Sequence, residues 1–254
     1  MVIRVGVCGF TKRYYNIFKV VELQRTFYNI PRMQTVQKWR QEAPPEFEFA
    51  FKVFQGLTHS KSSPTWRRFT GKLKDEEMNL VGDLRINDVT LRFMKTMIDI
   101  AKTLNSPIII VQTPARFKYN KENFDRAVEF FQRFEEVLKK EGFSTYIGWE
   151  PRGNWLENIS AIKKILETMD RLVHVVDPLF QSLAQIRELS YFRLHGKPYL
   201  NYKYQYSDND FEQIYKAIKD TLDAGSNKVY VMFNNVKMVD DASRFEQFLK
   251  SRGL

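Results

Sequence analysis

TYIGWEPRGNWLENISAIKKILETMDRLVHVVDPLFQSLAQIRELSYFRLHG, Thr145–Gly196, decides the fold. Three short apolar runs, Thr145–Glu150, Leu172–Asp177 and Tyr191–His195, are separated by amphipathic stretches with the length and spacing of helices. Strands alternating with helices in this way build a parallel sheet. Outward from this stretch the pattern continues, with strands expected at Ile3–Cys8, Val20–Gln24, Glu48–Val53, Pro107–Gln112 and Lys228–Asn234. Helices are expected near Gln34–Glu42, Asp88–Leu104, Lys121–Glu141, Asn158–Met169, Leu179–Leu189 and Asp208–Ala224, with a terminal helix at Asp241–Arg252. Eight strands with intervening helices predict a single (β/α)8 TIM barrel spanning residues 1–254.

Local signals support the boundaries. Asn87 or Asp88 can cap the helix that follows, Ser207 with Asp210 resembles a capping box, and Gly142 and Gly225 stand where a helix ends in a left-handed residue. Phe124, Val128, Phe131, Phe134 and Leu138 form an apolar stripe expected to face the core. Two connections are irregular. Thr11–Phe18 leaves room for one helical turn, so the first helix is shortened, whereas Gln55–Asn87 after the third strand has the length of a lid, a binding loop or a small subdomain.

Composition narrows the class. Of 254 residues 43% are hydrophobic, which is enough to bury a core and excludes disorder by composition. One cysteine excludes an internal disulfide, and three histidines leave no zinc cluster of familiar spacing, so no cofactor is expected and a reducing, cytoplasmic setting fits. The N-terminal run is too short for a secretory signal and no apolar run reaches membrane length, so no membrane partner is expected. A net charge of +10 favours anionic partners, either phosphorylated metabolites or nucleic acid, although solvated helix faces give the same charge.

Each strand turns polar at its C-terminal end, and alternation of faces sorts the side chains there. Glu22 shares a face with Gln24, Lys52 with Ala50, Glu150 with Gly148 and Arg152, and Arg193 with His195, while Asp177 ends strand six and Asn234 and Asn235 end strand eight. Charges on a sheet covered on both faces cost several kcal/mol unless paired or solvated, and the strand C-termini are where such barrels bind ligands. The alternative is a set of structural ion pairs, Glu150–Arg152 among them. His174, on the opposite face from Asp177, reads as a core histidine, and Cys8 as a small buried residue. The tyrosine- and lysine-rich segment GKPYLNYKYQYS (Gly196–Ser207) can stack bases or sugars, or simply pack its loop.

VELQRTFYNIP, FEFAFKVFQGLTH, VQTPARF, WEPRGNW, VVDP, YFRLHG and VYVMFNN, in this order along the chain, resemble the DUF72 (YecE-like) family of TIM barrels, whose biochemical role is not established. The resemblance implies rim residues at Glu22, Thr26, Tyr28, Lys52, His59, Gln112, Glu150, Arg152, Trp155, Asp177, Arg193, His195, Asn234 and Asn235. It departs at GVCGF, where Phe10 replaces a tryptophan usual in the family, in a form similar to archaeal members.

The expected function is an enzyme acting on an anionic, phosphorylated or sugar-containing small molecule. Glu150 or His195 would be the general acid/base, Asp177 would orient and tune His195, and Lys52, Arg152 and Arg193 would hold the anion, with Lys52 alternatively a Schiff-base lysine. Glu22, Tyr28, His59, Gln112, Trp155, Asn234 and Asn235 complete the substrate-binding set. A second expectation is nucleic-acid processing, nuclease-like, with a divalent metal on Glu150, Asp177 and His195 and the Gln55–Asn87 loop gripping the backbone. A third is a non-catalytic barrel that binds a metabolite or RNA. The sequence does not fix the oligomeric state.

Overall fold

The computed structural model describes residues 1–253. Strands β1 (Val2–Val7), β2 (Val20–Leu23), β3 (Glu48–Lys52), β4 (Ile108–Gln112), β5 (Tyr146–Glu150), β6 (Leu172–Val176), β7 (Leu189–Leu194) and β8 (Lys228–Phe233) follow one another in a closed barrel, β8 returning to β1. The pairings of β1 with β2 and β8, β3 with β4, β4 with β5, β6 with β7 and β7 with β8 are all parallel. The expected (β/α)8 TIM barrel is therefore the fold. Among the described residues the α-helices are α1 (Arg25–Tyr28), α2 (Met33–Glu42), α3 (Gln55–Thr58), α4 (Asp75–Met78), α5 (Asp88–Leu104), α6 (Lys121–Lys140), α7 (Ile159–Leu166), α8 (Asp208–Asp223) and α9 (Met238–Ser251). None is long and apolar enough to cross a membrane.

The helix ends follow their local chemistry. The Asn87 side chain accepts from the N–H groups of Val89 and Thr90, Ser207 and Asp210 form the reciprocal capping box, and Gly142 and Gly225 have positive φ. The α6 stripe is rotated from the expected one. Ala127, Phe130, Phe131, Phe134 and Leu138 are buried, whereas Phe124 and Val128 sit at its edge. The connection after β1 holds a single 3₁₀ turn at Lys12–Asn16, as its length demanded.

The expected helix over Leu179–Leu189 is not formed. One capped turn forms and goes no further: Leu179 N–H bonds the Asp177 carboxylate and Phe180 and Gln181 N–H bond the Asp177 carbonyl, but Ala184 N–H goes to His174 Nδ1 and not to a carbonyl four residues back. A buried histidine acceptor thus takes an amide that the helical ladder would need. The His174 bond also fixes that residue in the core, where it is 1% exposed. The long connection after β3 is ordered by short pieces: α3, a 3₁₀ turn at Pro64–Arg68, and α4. Trp66 and Phe69 from this segment pack on Phe54.

The chain divides into two compact units, one comprising Met1–Leu23, Pro44–Glu48 and Val173 onward, the other Gln24–Ala43 and Phe49–Leu172. In the first, Phe233 of β8 meets Phe211 of α8 and Phe245 of α9. In the second, Trp149 of β5 meets Phe131 of α6, and Phe54 meets Phe93 of α5. In each case an aromatic residue on or just past a strand meets the apolar stripe of a covering helix.

Candidate functional site

The first unit assembles two groups at the ends of β2, β6, β7 and β8. Arg193 donates through Nε and Nη2 to the two oxygens of Glu22, at 3.0 and 2.9 Å, and Tyr191 donates its hydroxyl to the same carboxylate at 2.9 Å. Burial, then the Glu22 charge, pushes the Tyr191 phenol well above its ordinary value, so it stays a donor. Glu22 is 0% and Arg193 1% exposed, which leaves nothing of either for a ligand to reach. Their geometry is that of a buried structural ion pair. Tyr191 escaped the sequence reading although alternation puts it on the face of Arg193.

His195 begins the second group. Its ring Nδ1 lies 3.1 Å from the Asn234 side-chain amide nitrogen, which can only donate, so Nδ1 accepts and a neutral ring carries its proton on Nε2. Tyr199 and Tyr202 approach the ring edge-on at about 6 Å. Asp177 Oδ2 accepts the His195 backbone N–H at 2.9 Å, so the carboxylate positions the main chain at this strand end. The next residue, Gly196, gives its N–H to the Tyr206 hydroxyl at 2.7 Å. Gly196 has φ +84°, and an added Cβ would fall 2.2 Å from the Asn201 carbonyl oxygen, so the turn that ends β7 requires glycine. Asn235 faces away from His195, binding the Tyr204 carbonyl and the Asp241 carboxylate. The tyrosine-rich loop divides accordingly: Tyr204 and Tyr206 are tied into the fold by Asp210 and Gly196, and Tyr202 stays exposed.

The second unit brings together the ends of β3, β4 and β5. Lys52 Nζ donates to Gln112 Oε1 at 2.9 Å and lies 3.9 Å from the centre of the Phe27 ring. Thr26 donates its hydroxyl to the Lys52 carbonyl, fixing that strand end. The Lys52 ammonium thus rests on an aromatic face, a cation–π contact. His59 packs on the edge of the same Phe27, with Nδ1 2.8 Å from the Thr58 hydroxyl. Burial, then the charges of Lys52, Arg152 and Arg116, lower the His59 pKa to about 3. Arg152 reaches Glu150 Oε1 through Nε and Nη2, at 3.1 and 2.9 Å, and keeps part of its head in solvent. Arg116, in the loop after β4, bonds the hydroxyls of Ser60 and Ser62 next to His59. This residue was missed by the sequence reading because a loop arginine after a strand carries no periodicity to sort its direction.

Two members of the expected substrate set lie elsewhere. Trp155 is wholly buried among Phe117, Tyr119 and Trp149, with its indole N–H given to the Phe117 carbonyl at 2.6 Å, so it packs the end of β5. Tyr28 lies under the Arg68 guanidinium at 3.6 Å, in the wall of a cavity lined by neither Lys52 nor His59. The metal set Glu150, Asp177 and His195 is corrected as well. Among the described residues no three His, Cys, Asp or Glu side chains are grouped to hold an ion. Asp177 accepts from the N–H groups of Leu179 and His195, and Glu150 from Arg152.

A family model described as "Protein of unknown function DUF72" matches residues 10–253. A crystal structure of a DUF72 family protein from Enterococcus faecalis is 24% identical, covers 100% of this chain and 98% of that one, and superposes with a TM-score of 0.72. Another from Thermotoga maritima is 20% identical over 98% of this chain and 100% of that one, with a TM-score of 0.65. A structure from Anabaena variabilis described as a putative sugar phosphate isomerase/epimerase is 12% identical over 98% and 97%, with a TM-score of 0.53. Identities this low speak for the fold alone. No curated protein matches the chain.

Proposed function

The chain belongs to the DUF72 family, and from that premise we propose that it is an enzyme that takes an anionic, sugar-phosphate-like substrate at the ends of β3, β4 and β5 and turns it over by general acid/base catalysis. One observation carries the reading: Lys52 and the buried His59 pack on the same Phe27 ring, Arg116 bonds the hydroxyls of Ser60 and Ser62 next to His59, and Arg152 stands at the carboxylate of Glu150. Cations gathered around a neutral imidazole are a setting for an anion, and Arg116 and Arg152 are the two that solvent reaches. In this proposal the phosphate or developing oxyanion is held by the cations, Glu150 takes and returns the proton, and His59 donates or accepts a hydrogen bond as a neutral group. Isomerisation or epimerisation next to a carbonyl needs these parts, and the likeness of the barrel to a putative sugar phosphate isomerase/epimerase is in keeping with it.

The test is a panel of aldose and ketose phosphates with the purified protein, reading product and thermal shift together. Glu150→Gln is expected to reduce turnover by roughly 10²–10⁴-fold with the melting temperature unchanged or raised, and Lys52→Gln to raise KM. Full activity in Glu150→Gln would sink the reading. A second reading places the acid/base at His195, which the Asn234 contact favours by leaving the proton on Nε2. His195→Gln then abolishes turnover while Glu150→Gln does not. Stabilisation by sugar phosphates with no turnover in any variant would leave a metabolite-binding barrel.

A further inference from the structure

Two cavities in the second unit, of about 440 and 470 Å³, share Asn29 and Thr70 as a common wall. Each has the volume of a small-molecule pocket. Arg25 and Arg68 line the first and Arg32 and Lys72 the second, and all four side chains are exposed. Among the described residues none of the four has a carboxylate partner, and no Asp or Glu lines either cavity. On the helices α5 and α6, by contrast, Arg92, Lys95, Lys102, Arg126 and Arg133 are each paired with glutamate. Half-buried aromatic rings sit among the unneutralised cations, Tyr28 and Trp39 in the first cavity and Phe69 in the second.

The wall between the cavities is built and fixed. Asn29 Oδ1 accepts from the Thr70 N–H at 2.7 Å and from its hydroxyl at 3.0 Å, and Asn29 Nδ2 donates to the Arg68 carbonyl at 3.0 Å. Arg68 is thus held at its backbone by Asn29 and at its head by the Tyr28 ring. A guanidinium placed in this way loses little freedom when it meets a phosphate.

We propose that these adjoining cavities bind single-stranded nucleic acid, one nucleotide in each. Cations and aromatic rings lining two adjoining cavities match the phosphates and bases of a strand, and the rings need unstacked bases, which a duplex does not present. Two cavities with a shared wall fit two successive nucleotides, whereas a free nucleotide would need only one. The site is separate from the one assigned to the reaction, since none of Lys52, His59, Gln112, Glu150 and Arg152 lines either cavity.

Fluorescence anisotropy with labelled oligothymidylate and oligouridylate, a duplex of equal length, and a competing mononucleotide tests this. Single strands are expected to bind at least about tenfold more tightly than duplex and mononucleotide. Trp39→Ala should weaken binding at least about fivefold, the low end of what loss of one stacked base brings. Arg68→Ala, an exposed change that leaves the fold intact, should lower the slope of log affinity against log salt by about 0.7, the value for one phosphate of a single strand. Glu150→Gln should leave strand binding unchanged, which separates failure of this site from failure of the proposed reaction. Equal affinity for duplex, equal affinity for a mononucleotide, or normal binding by both Trp39→Ala and Arg68→Ala would each overturn the proposal.

Discussion

His59 shows how one side chain reports on its neighbours. It is 4% exposed, and its pKa falls from 6.5 to about 3, first through burial and then through Lys52, Arg152 and Arg116. Linkage fixes the sign of the consequence. Above pH 6.5 the ring is neutral in both folded and unfolded chains and contributes nothing. Below it the unfolded chain takes up a proton that the folded chain refuses, so stability is lost as the pH falls toward 3. The loss attributable to this residue approaches about 1.4 kcal/mol per pH unit. Urea unfolding of wild type and His59→Gln should therefore diverge between pH 6.5 and 4.5, the wild type losing stability faster. Parallel curves would mean that the ring is protonated in the fold, and with it the picture of a neutral partner for substrate would fail. His59 came into view through the resemblance of FEFAFKVFQGLTH to its family, since nothing in the spacing of a loop histidine shows the cations around it.

Between elements, the bidentate pair of Glu22 on β2 with Arg193 on β7 ties two strands of the first unit across their interior. Removing one partner leaves an uncompensated buried charge, so Arg193→Met should cost about 3–5 kcal/mol, and the double change Glu22→Gln with Arg193→Met should recover most of it. A loss in the double variant equal to the sum of the two single losses would show that the two groups act independently. Alternation made this pair legible as two inward polar residues, but not as partners, because a pattern of period two gives the face of a side chain and not its reach. Strand polarity is also a weaker sign of a ligand site than it looks in sequence. At the opposite end of the strands Glu48 takes Lys228 Nζ at 2.5 Å and the Tyr230 hydroxyl at 2.8 Å, purely as packing of charges. The eight strands were legible because each is a short β-branched or aromatic run between turn signals. The helix expected at Leu179–Leu189 was not, because it ends after the one turn that Asp177 caps and the His174 ring takes the Ala184 amide, and a tertiary acceptor leaves no mark in the local pattern.

At the scale of the whole molecule the balance of 40 Lys and Arg against 30 Asp and Glu has to be divided into charges that act and charges that merely solvate. Pairs such as Lys121–Asp125 and Lys139–Glu135 are exposed, one turn apart on α6, and contribute little beyond solubility. The cations around His59 are different, since burying a neutral ring beside them favours any anion that enters. An anion that binds only the folded chain stabilises it by mass action, about 2.7 kcal/mol at a hundred times its Kd. For a chain of this size that is an upward shift in melting temperature of roughly 5–10 °C, at 2–4 °C per kcal/mol. Sulfate also strengthens burial in any protein by exclusion from its surface, so a rise in the wild type alone decides nothing. Millimolar phosphate, compared with chloride at matched ionic strength, should raise the melting temperature of the wild type but much less that of a Lys52→Gln, Arg152→Gln double variant, while Arg68→Ala responds as the wild type does. An equal response in the double variant would place the anion elsewhere on the basic surface and remove the electrostatic basis of the proposed reaction.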